Sequence, residues 1–203
     1  RISMVVLLAG GSHTGKTNLS QKLLERCHFP YLSIDHLKMG LIRSGYCSLT
    51  PESSDEELTN YLWPVVREIV KTAVENSQNL IVEGCYIPFS CMEDFSPEYR
   101  KQIRFLCLVF SEAYIAAQFQ AVRNYANVIE KRLDDGSCTQ EEMLEENRFN
   151  LEQCKKYRCP VLWIQNRYPS DADWDERADR LLSGKSLDGW QWDFCEEWQN
   201  LEI

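Results

Sequence analysis

The chain has 203 residues, with 22 Lys and Arg against 31 Asp and Glu and a formal net charge of -9. That length suits one α/β domain with a sizeable core and is short for two ordinary domains. The acidic balance argues against a general nucleic-acid or anionic-membrane surface, so any phosphate chemistry has to be gathered locally in one cleft.

Ile2 to Ala9 is a continuous apolar run suited to a buried parallel strand. It leads into Gly10-Gly11-Ser12-His13-Thr14-Gly15-Lys16-Thr17, which fits the phosphate-loop pattern G-x-x-x-x-G-K-[ST]. Asn18 to Arg26 continues with helical spacing, so strand, glycine loop and helix follow in the required order. Backbone N–H groups of Gly11 to Gly15 then point at phosphate oxygens, and the helix N-terminus adds roughly half a positive charge. Lys16 is expected on the β- and γ-phosphates of a nucleotide, and the Thr17 hydroxyl on Mg²⁺.

Phe29 to Ile34 reads as a short second strand with Pro30 tolerated at its start. It ends at Asp35, and His36 to Arg43 reads as helix, which puts Asp35 at a strand's carboxyl end, where open α/β sheets bind ligands. Gly45 to Ser54 is a loop by composition. From Asp55 to about Glu75, Leu58, Leu62, Val65, Ile69 and Ala73 recur at helical spacing, with a kink or restart expected at Pro64.

Asn79 to Val82 reads as the third strand, ending in Glu83-Gly84, and Ile87 to Pro97 as a loop over the cleft before a short helix. Ile103 to Phe110 is the fourth strand, followed by a helix from Glu112 to about Leu133 that breaks at Asp134-Asp135-Gly136-Ser137. Thr139 with Glu142 three residues on is a start signal for a helix to about Tyr157. Val161 to Gln165 is the fifth strand and Asp173 to Ser183 the last helix. Trp190, Trp192, Phe194 and Trp198 crowd the tail, a density that usually packs onto the domain or onto a second copy of the chain, as in a homodimer.

Nine cysteines, with no C-x-x-C pair and with the three histidines elsewhere, read as thiols in a reducing, cytoplasmic setting rather than as a zinc cluster. No segment reaches the roughly 18 apolar residues of a membrane span, and the first strand lacks the flanks of a signal peptide. Alternating strands and helices predict a three-layer α/β fold with a five-stranded parallel sheet and right-handed crossovers. Its strand ends would gather the phosphate loop, Asp35 and Glu83-Gly84 along one edge.

A carboxylate at Asp35, one loop from the expected γ-phosphate, is placed to take a proton from a substrate hydroxyl; the alternative is a simple cap of the next helix. Glu83 is placed to hold Mg²⁺ through water or to contact substrate, and Gly84 to let a substrate approach closely. Arg43, Arg67, Arg123, Arg132 and Arg148 are the candidates for neutralising phosphate charge. Tyr46, Tyr86, Ile87 and Phe89 are placed either to line an acceptor pocket or to serve ordinary packing.

The phosphate loop, Asp35, Glu83-Gly84 and the arginine-bearing helices after the fourth strand together resemble the small P-loop kinases of the adenylate kinase and shikimate kinase group. An aspartate just after strand two is similar to the base proposed for shikimate kinase, chloramphenicol phosphotransferase and the zeta-toxin and 2-phosphoglycerate kinase relatives. The resemblance spans about residues 2 to 183. It implies a single P-loop NTPase domain over 1–203, strand order 2-3-1-4-5, a substrate-binding insertion at about 36–78 and a lid at about 112–150. It also implies an ATP- and Mg²⁺-dependent kinase for a small-molecule phosphoryl acceptor. Arg123 in the lid would then reach the transferred phosphoryl, Arg148 would act on the nucleotide from the helix before strand five, and Arg132 would be an alternate for either. Arg43, Glu83 and Gly84 would join Asp35 on the substrate side. The chain lacks the Arg-Pro lid pair of shikimate kinase, and Gly40 to Arg43 is not a clear nucleoside monophosphate site.

The competing class is an ATPase or GTPase module that couples hydrolysis to a protein partner. Asn166-Arg167-Tyr168 after strand five does not match the Asn-Lys-x-Asp guanine signature.

Overall fold

The apolar run near the start forms β1 (Val5–Gly10), buried along its whole length. In the computed structural model, which describes residues 3–129 and 138–182, four more strands join it: β2 (Tyr31–Ser33), β3 (Leu80–Glu83), β4 (Ile103–Phe110) and β5 (Val161–Ile164). All neighbours are parallel and the order is β2-β3-β1-β4-β5, the order that the resemblance to the small P-loop kinases implies. Arg132, the break at 134–137 and the Trp-rich tail lie outside the described residues.

Side chains alternate across a strand, so β1 feeds two cores at once. Val5, Leu7 and Ala9 pack with Leu58, Leu62, Val66 and Val70 of α3 (Asp55–Glu75) on one face. Val6 and Leu8 pack on the other with Leu19 and Leu23 of α1 (Lys16–Cys27), Ile115 of α5 (Glu112–Ile129), and Trp174 of α7 (Asp171–Leu182). Each such aliphatic side chain contributes about 1.5–3 kcal/mol by leaving water. The sheet is therefore covered on both sides, and only its ends are open for a site.

The sequence places the start of the second strand two residues too early and its end one residue too late. α2 (Ile34–Arg43) already begins at Ile34, so Asp35 stands in its first turn rather than at the end of β2. Gly84 makes this possible: a Cβ there would come within 2.8 Å of the Ile34 Cβ, so the glycine lets the fully buried Ile34 seat against the end of β3. Pro64 does not interrupt α3, which runs as one helix through it. Pro64 is exposed, as is Asn60 four residues before it, whose carbonyl it leaves without a helical donor. A capping box between Ser54 and Glu57 starts that helix.

After β3 the chain makes a 3₁₀ turn at Cys91–Asp94 and the short α4 (Pro97–Arg100) before entering β4. The Thr139–Glu142 capping box read from the sequence opens α6 (Gln140–Tyr157). The cysteines among the described residues are free thiols, and no helix among those residues is long and apolar enough to cross a membrane.

Candidate active site

The phosphate loop is braced by its own hydrogen bonds. Gly15 adopts a left-handed φ of 101° as the cap of α1, and His13 also has a positive φ, 68°. These conformations turn the chain sharply from β1 into the helix. The Thr14 hydroxyl donates to the Gly11 carbonyl at 2.8 Å, and the Lys16 Nζ donates to the same oxygen at 2.6 Å. Lys16 is buried. Burial works against its charge, but Cys85, Glu83, Glu146 and Asp35 around it outweigh that effect and raise its pKa. Burial in turn pushes the neighbouring Cys85 thiol up, against the pull of Lys16.

A cavity of about 410 Å³ opens over this loop. Its floor is His13, Gly15, Lys16 and Thr17; Asp35, Glu83 and Cys85 border it at the strand ends. Glu83 is almost fully buried, at 3 % exposure, and pairs in register with Leu8 of β1 and Ser33 of β2. The opposite wall comes from α5, with Tyr114, Gln118 and Tyr125, and from the turn after β5, with Asn166, Arg167 and Tyr168.

Asp35 does not stand alone. Its Oδ1 lies 3.0 Å from the Lys38 Nζ, which donates on to the Tyr86 hydroxyl at 2.9 Å. Lys38 is largely buried; burial lowers its pKa, yet the Tyr86 hydrogen bond and Asp35 leave it raised. Tyr86 is buried too, and burial holds its phenol up.

The donor set fits a magnesium nucleotide. Mg²⁺ takes oxygen ligands, keeps several waters and is usually held by one or two side chains together with substrate phosphates. The Thr17 hydroxyl with the carboxylates of Glu83 and Asp35 supplies such oxygens around one cavity. Among the described residues no cluster of three or more His, Cys, Asp and Glu is placed to hold a metal ion by itself.

The structure thus brings Gly15, Lys16, Thr17, His13, Asp35 and Glu83 to one cavity, with Gly11, Ser12 and Thr14 completing the loop beneath it. The candidate arginines Arg43, Arg123 and Arg148 are placed elsewhere. Arg43 is exposed at the end of α2. The Arg123 guanidinium lies 5.7 Å over the Phe119 ring of its own helix. Arg148 is exposed and bonded through Nε to Glu112 at 2.8 Å. None of the three lines the cavity. The orientation of α6 explains the last case. Its buried Asn147 accepts the Phe110 N–H at 2.9 Å and donates to the Met143 carbonyl at 2.9 Å, which pins the helix to the end of β4. The turn so fixed directs Arg148 toward α5 and Glu146 toward the phosphate loop, where the Ser12 N–H lies 3.3 Å from both carboxylate oxygens.

Sequence reasoning missed Lys38, Glu146 and the tyrosine wall. Lys38 had a usable signal, since a lysine three residues after an aspartate on a helix shares its face. Tyr168 stood in a segment tested only against a guanine signature. Its hydroxyl occupies the space a Cβ on Gly15 would need, and its ring meets Trp174, Tyr125 and Phe110.

No family model matches the sequence, and no curated protein matches it. Solved structures do match. A candidate kinase from Chloroflexus aurantiacus is 14% identical with a TM-score of 0.54, covering 92% of this chain and 100% of its own. A sugar kinase from a Janibacter species is 15% identical with a TM-score of 0.53, covering 89% and 95%. Shikimate kinase from Bacteroides thetaiotaomicron is 13% identical with a TM-score of 0.49, covering 89% and 97%. At such identity the likeness concerns the backbone, and it agrees with the strand order and the phosphate loop: the chain has the fold of the small P-loop kinases.

Proposed function

We propose that this chain is an ATP-dependent phosphotransferase that moves a γ-phosphoryl group to a hydroxyl of a small molecule, with Asp35 as base. The observation that carries the reading is that Lys16, Thr17, Asp35 and Glu83 border one cavity at the carboxyl ends of β1, β2 and β3. A phosphate loop alone would serve any nucleotide-binding protein; a carboxylate on the acceptor side of the same cavity adds a group for taking the hydroxyl proton. The likeness to a sugar kinase supports the same class.

In this reading the loop N–H groups and Lys16 hold the β- and γ-phosphates, and the base of the nucleotide rests against the wall of Tyr125 and Tyr168. Thr17, with Glu83 or Asp35, would hold Mg²⁺, which would supply neutralisation of phosphate charge. Asp35, oriented by Lys38, accepts the proton of the acceptor hydroxyl as its oxygen bonds to the γ-phosphorus and the bond to the ADP oxygen breaks. Residues at about 36–78 form the acceptor side; the lid read at about 112–150 falls partly outside the described residues. Catalysis is positioning plus electrostatics, with no covalent intermediate.

The test is a phosphoryl-transfer screen with Mg²⁺-ATP over sugars, polyols, other hydroxylated metabolites and nucleosides, run in parallel on Asp35→Asn. The expected result is an acceptor-dependent transfer that the variant loses. Steady ATP hydrolysis without any acceptor, unchanged in Asp35→Asn, would overturn the proposal in favour of a hydrolase coupled to a protein partner.

A further inference from the structure

One carboxylate beside the phosphate loop has no part in the transfer chemistry above. Glu146 reaches from α6 onto the phosphate loop, with the Ser12 N–H 3.3 Å from each of its two oxygens. Backbone N–H groups of such loops are anion seats, and here one of them already has an anion. Contact is close: a Cβ on Gly11 would stand 2.9 Å from the Glu146 carboxyl carbon and 3.0 Å from one of its oxygens. The second glycine of the loop therefore leaves the room that the carboxylate uses.

The position along the loop decides what Glu146 competes with. Lys16, the residue that reaches β- and γ-phosphates in such loops, donates to the carbonyl of Gly11, next to Ser12. Glu146 is among the groups that raise the pKa of Lys16, as are Asp35 and Glu83 on the acceptor side. The occupied seat thus lies at the terminal-phosphate end of the loop, away from the base wall at Tyr125 and Tyr168. The helix that delivers the carboxylate is pinned by Asn147 to Phe110, and Met143 beside it is buried. Yielding the seat therefore falls to the Glu146 side chain, whose contact of 3.3 Å is long against the usual N–H···O distance of about 2.9–3.0 Å and so is displaceable.

We propose that Glu146 is a specificity-determining residue that competes with the γ-phosphate for the Ser12 N–H and sets the preference of the site for nucleoside diphosphate over triphosphate. This rests on the phosphotransferase reading above. A triphosphate has to displace Glu146 and bring further negative charge beside Asp35 and Glu83. A diphosphate ends short of the contested seat. The consequence for turnover is tight binding of the product nucleotide relative to the substrate nucleotide.

The experiment is calorimetric titration of the whole chain with Mg²⁺-ADP and with the non-hydrolysable β,γ-imido analogue of ATP. Wild type is compared with Glu146→Gln, which removes the charge, Glu146→Ala, which leaves the Ser12 N–H to water, and the exposed control Glu145→Gln. Both Glu146 variants are expected to bind the imido analogue about tenfold tighter, as for loss of one competing charge-assisted hydrogen bond, with ADP affinity changed by less than about twofold. The control should keep the wild-type ratio. An unchanged ratio of the two affinities in both folded Glu146 variants, or a weaker imido complex, overturns the proposal alone. Failure of the wild type to bind either nucleotide overturns the phosphate-loop reading and this proposal with it.

Discussion

Lys38 stands one helical turn beyond Asp35, with its Nζ 3.0 Å from the carboxylate and 2.9 Å from the Tyr86 hydroxyl. The ammonium thus ties the proposed base on α2 to the segment that follows β3. Replacing Lys38 by Met should cut kcat about tenfold or more while leaving the KM for ATP within about twofold, because a misoriented base affects transfer and not the phosphate contacts. Lys38→Arg should recover part of the loss. Steady-state kinetics of the three proteins would settle the point, and an equal fall in ATP affinity would show that Lys38 binds nucleotide instead.

Asp35→Asn keeps the shape of the side chain and removes its ability to take a proton. Transfer should fall by about two orders of magnitude or more, with nucleotide affinity retained. Single-turnover transfer measured beside equilibrium ATP binding separates the two. Near wild-type transfer would leave Asp35 as no more than a charged residue in the first turn of α2.

Lys16→Ala removes the one buried cation of the loop. The Gly11 carbonyl would lose its 2.6 Å donor, and three nearby carboxylates would lose their compensating charge. Productive nucleotide binding should vanish, and direct titration with Mg²⁺-ATP is the check. Unchanged affinity would remove the phosphate-loop reading itself.

Much of this is legible in the sequence. The phosphate loop is written in residue types that only one backbone path satisfies, and the buried parallel strands announce themselves as unbroken apolar runs such as Val5 to Ala9 and Phe105 to Phe110. The boundary at Asp35 was misjudged because Ile34 fits a strand and a helix equally well; contact with Gly84, far along the chain, decides it. Glu146 could not have been found, since α6 carries Glu141, Glu142, Glu145, Glu146 and Glu152, and only the buried Asn147 fixes which of them faces the loop. Arg148 illustrates the converse. Its residue type suits a phosphate, but the same helical rotation pairs it with Glu112.

Tyr168 links the nucleotide cavity to stability at alkaline pH. Burial pushes its phenol up to about 12, against the opposing hydrogen bond with Asn18. In the unfolded chain a tyrosine titrates near pH 10. A raised folded pKa means that the stabilisation is fully present below about pH 10, where both states are neutral, and is lost as pH rises toward 12, where only the unfolded chain ionises freely. The loss from this one group is on the order of 2 kcal/mol. Tyr86 and Tyr114 are also held up by burial, so the wild type alone would not isolate Tyr168. Tyr168→Phe keeps the ring against Trp174 and removes the ionisation. Urea unfolding of both proteins at pH 9.5 and 11.5 should show the wild type losing more stability than the variant over that interval. Equal losses would place the Tyr168 phenol in contact with water, and the packing of its hydroxyl against Gly15 would then not hold in solution.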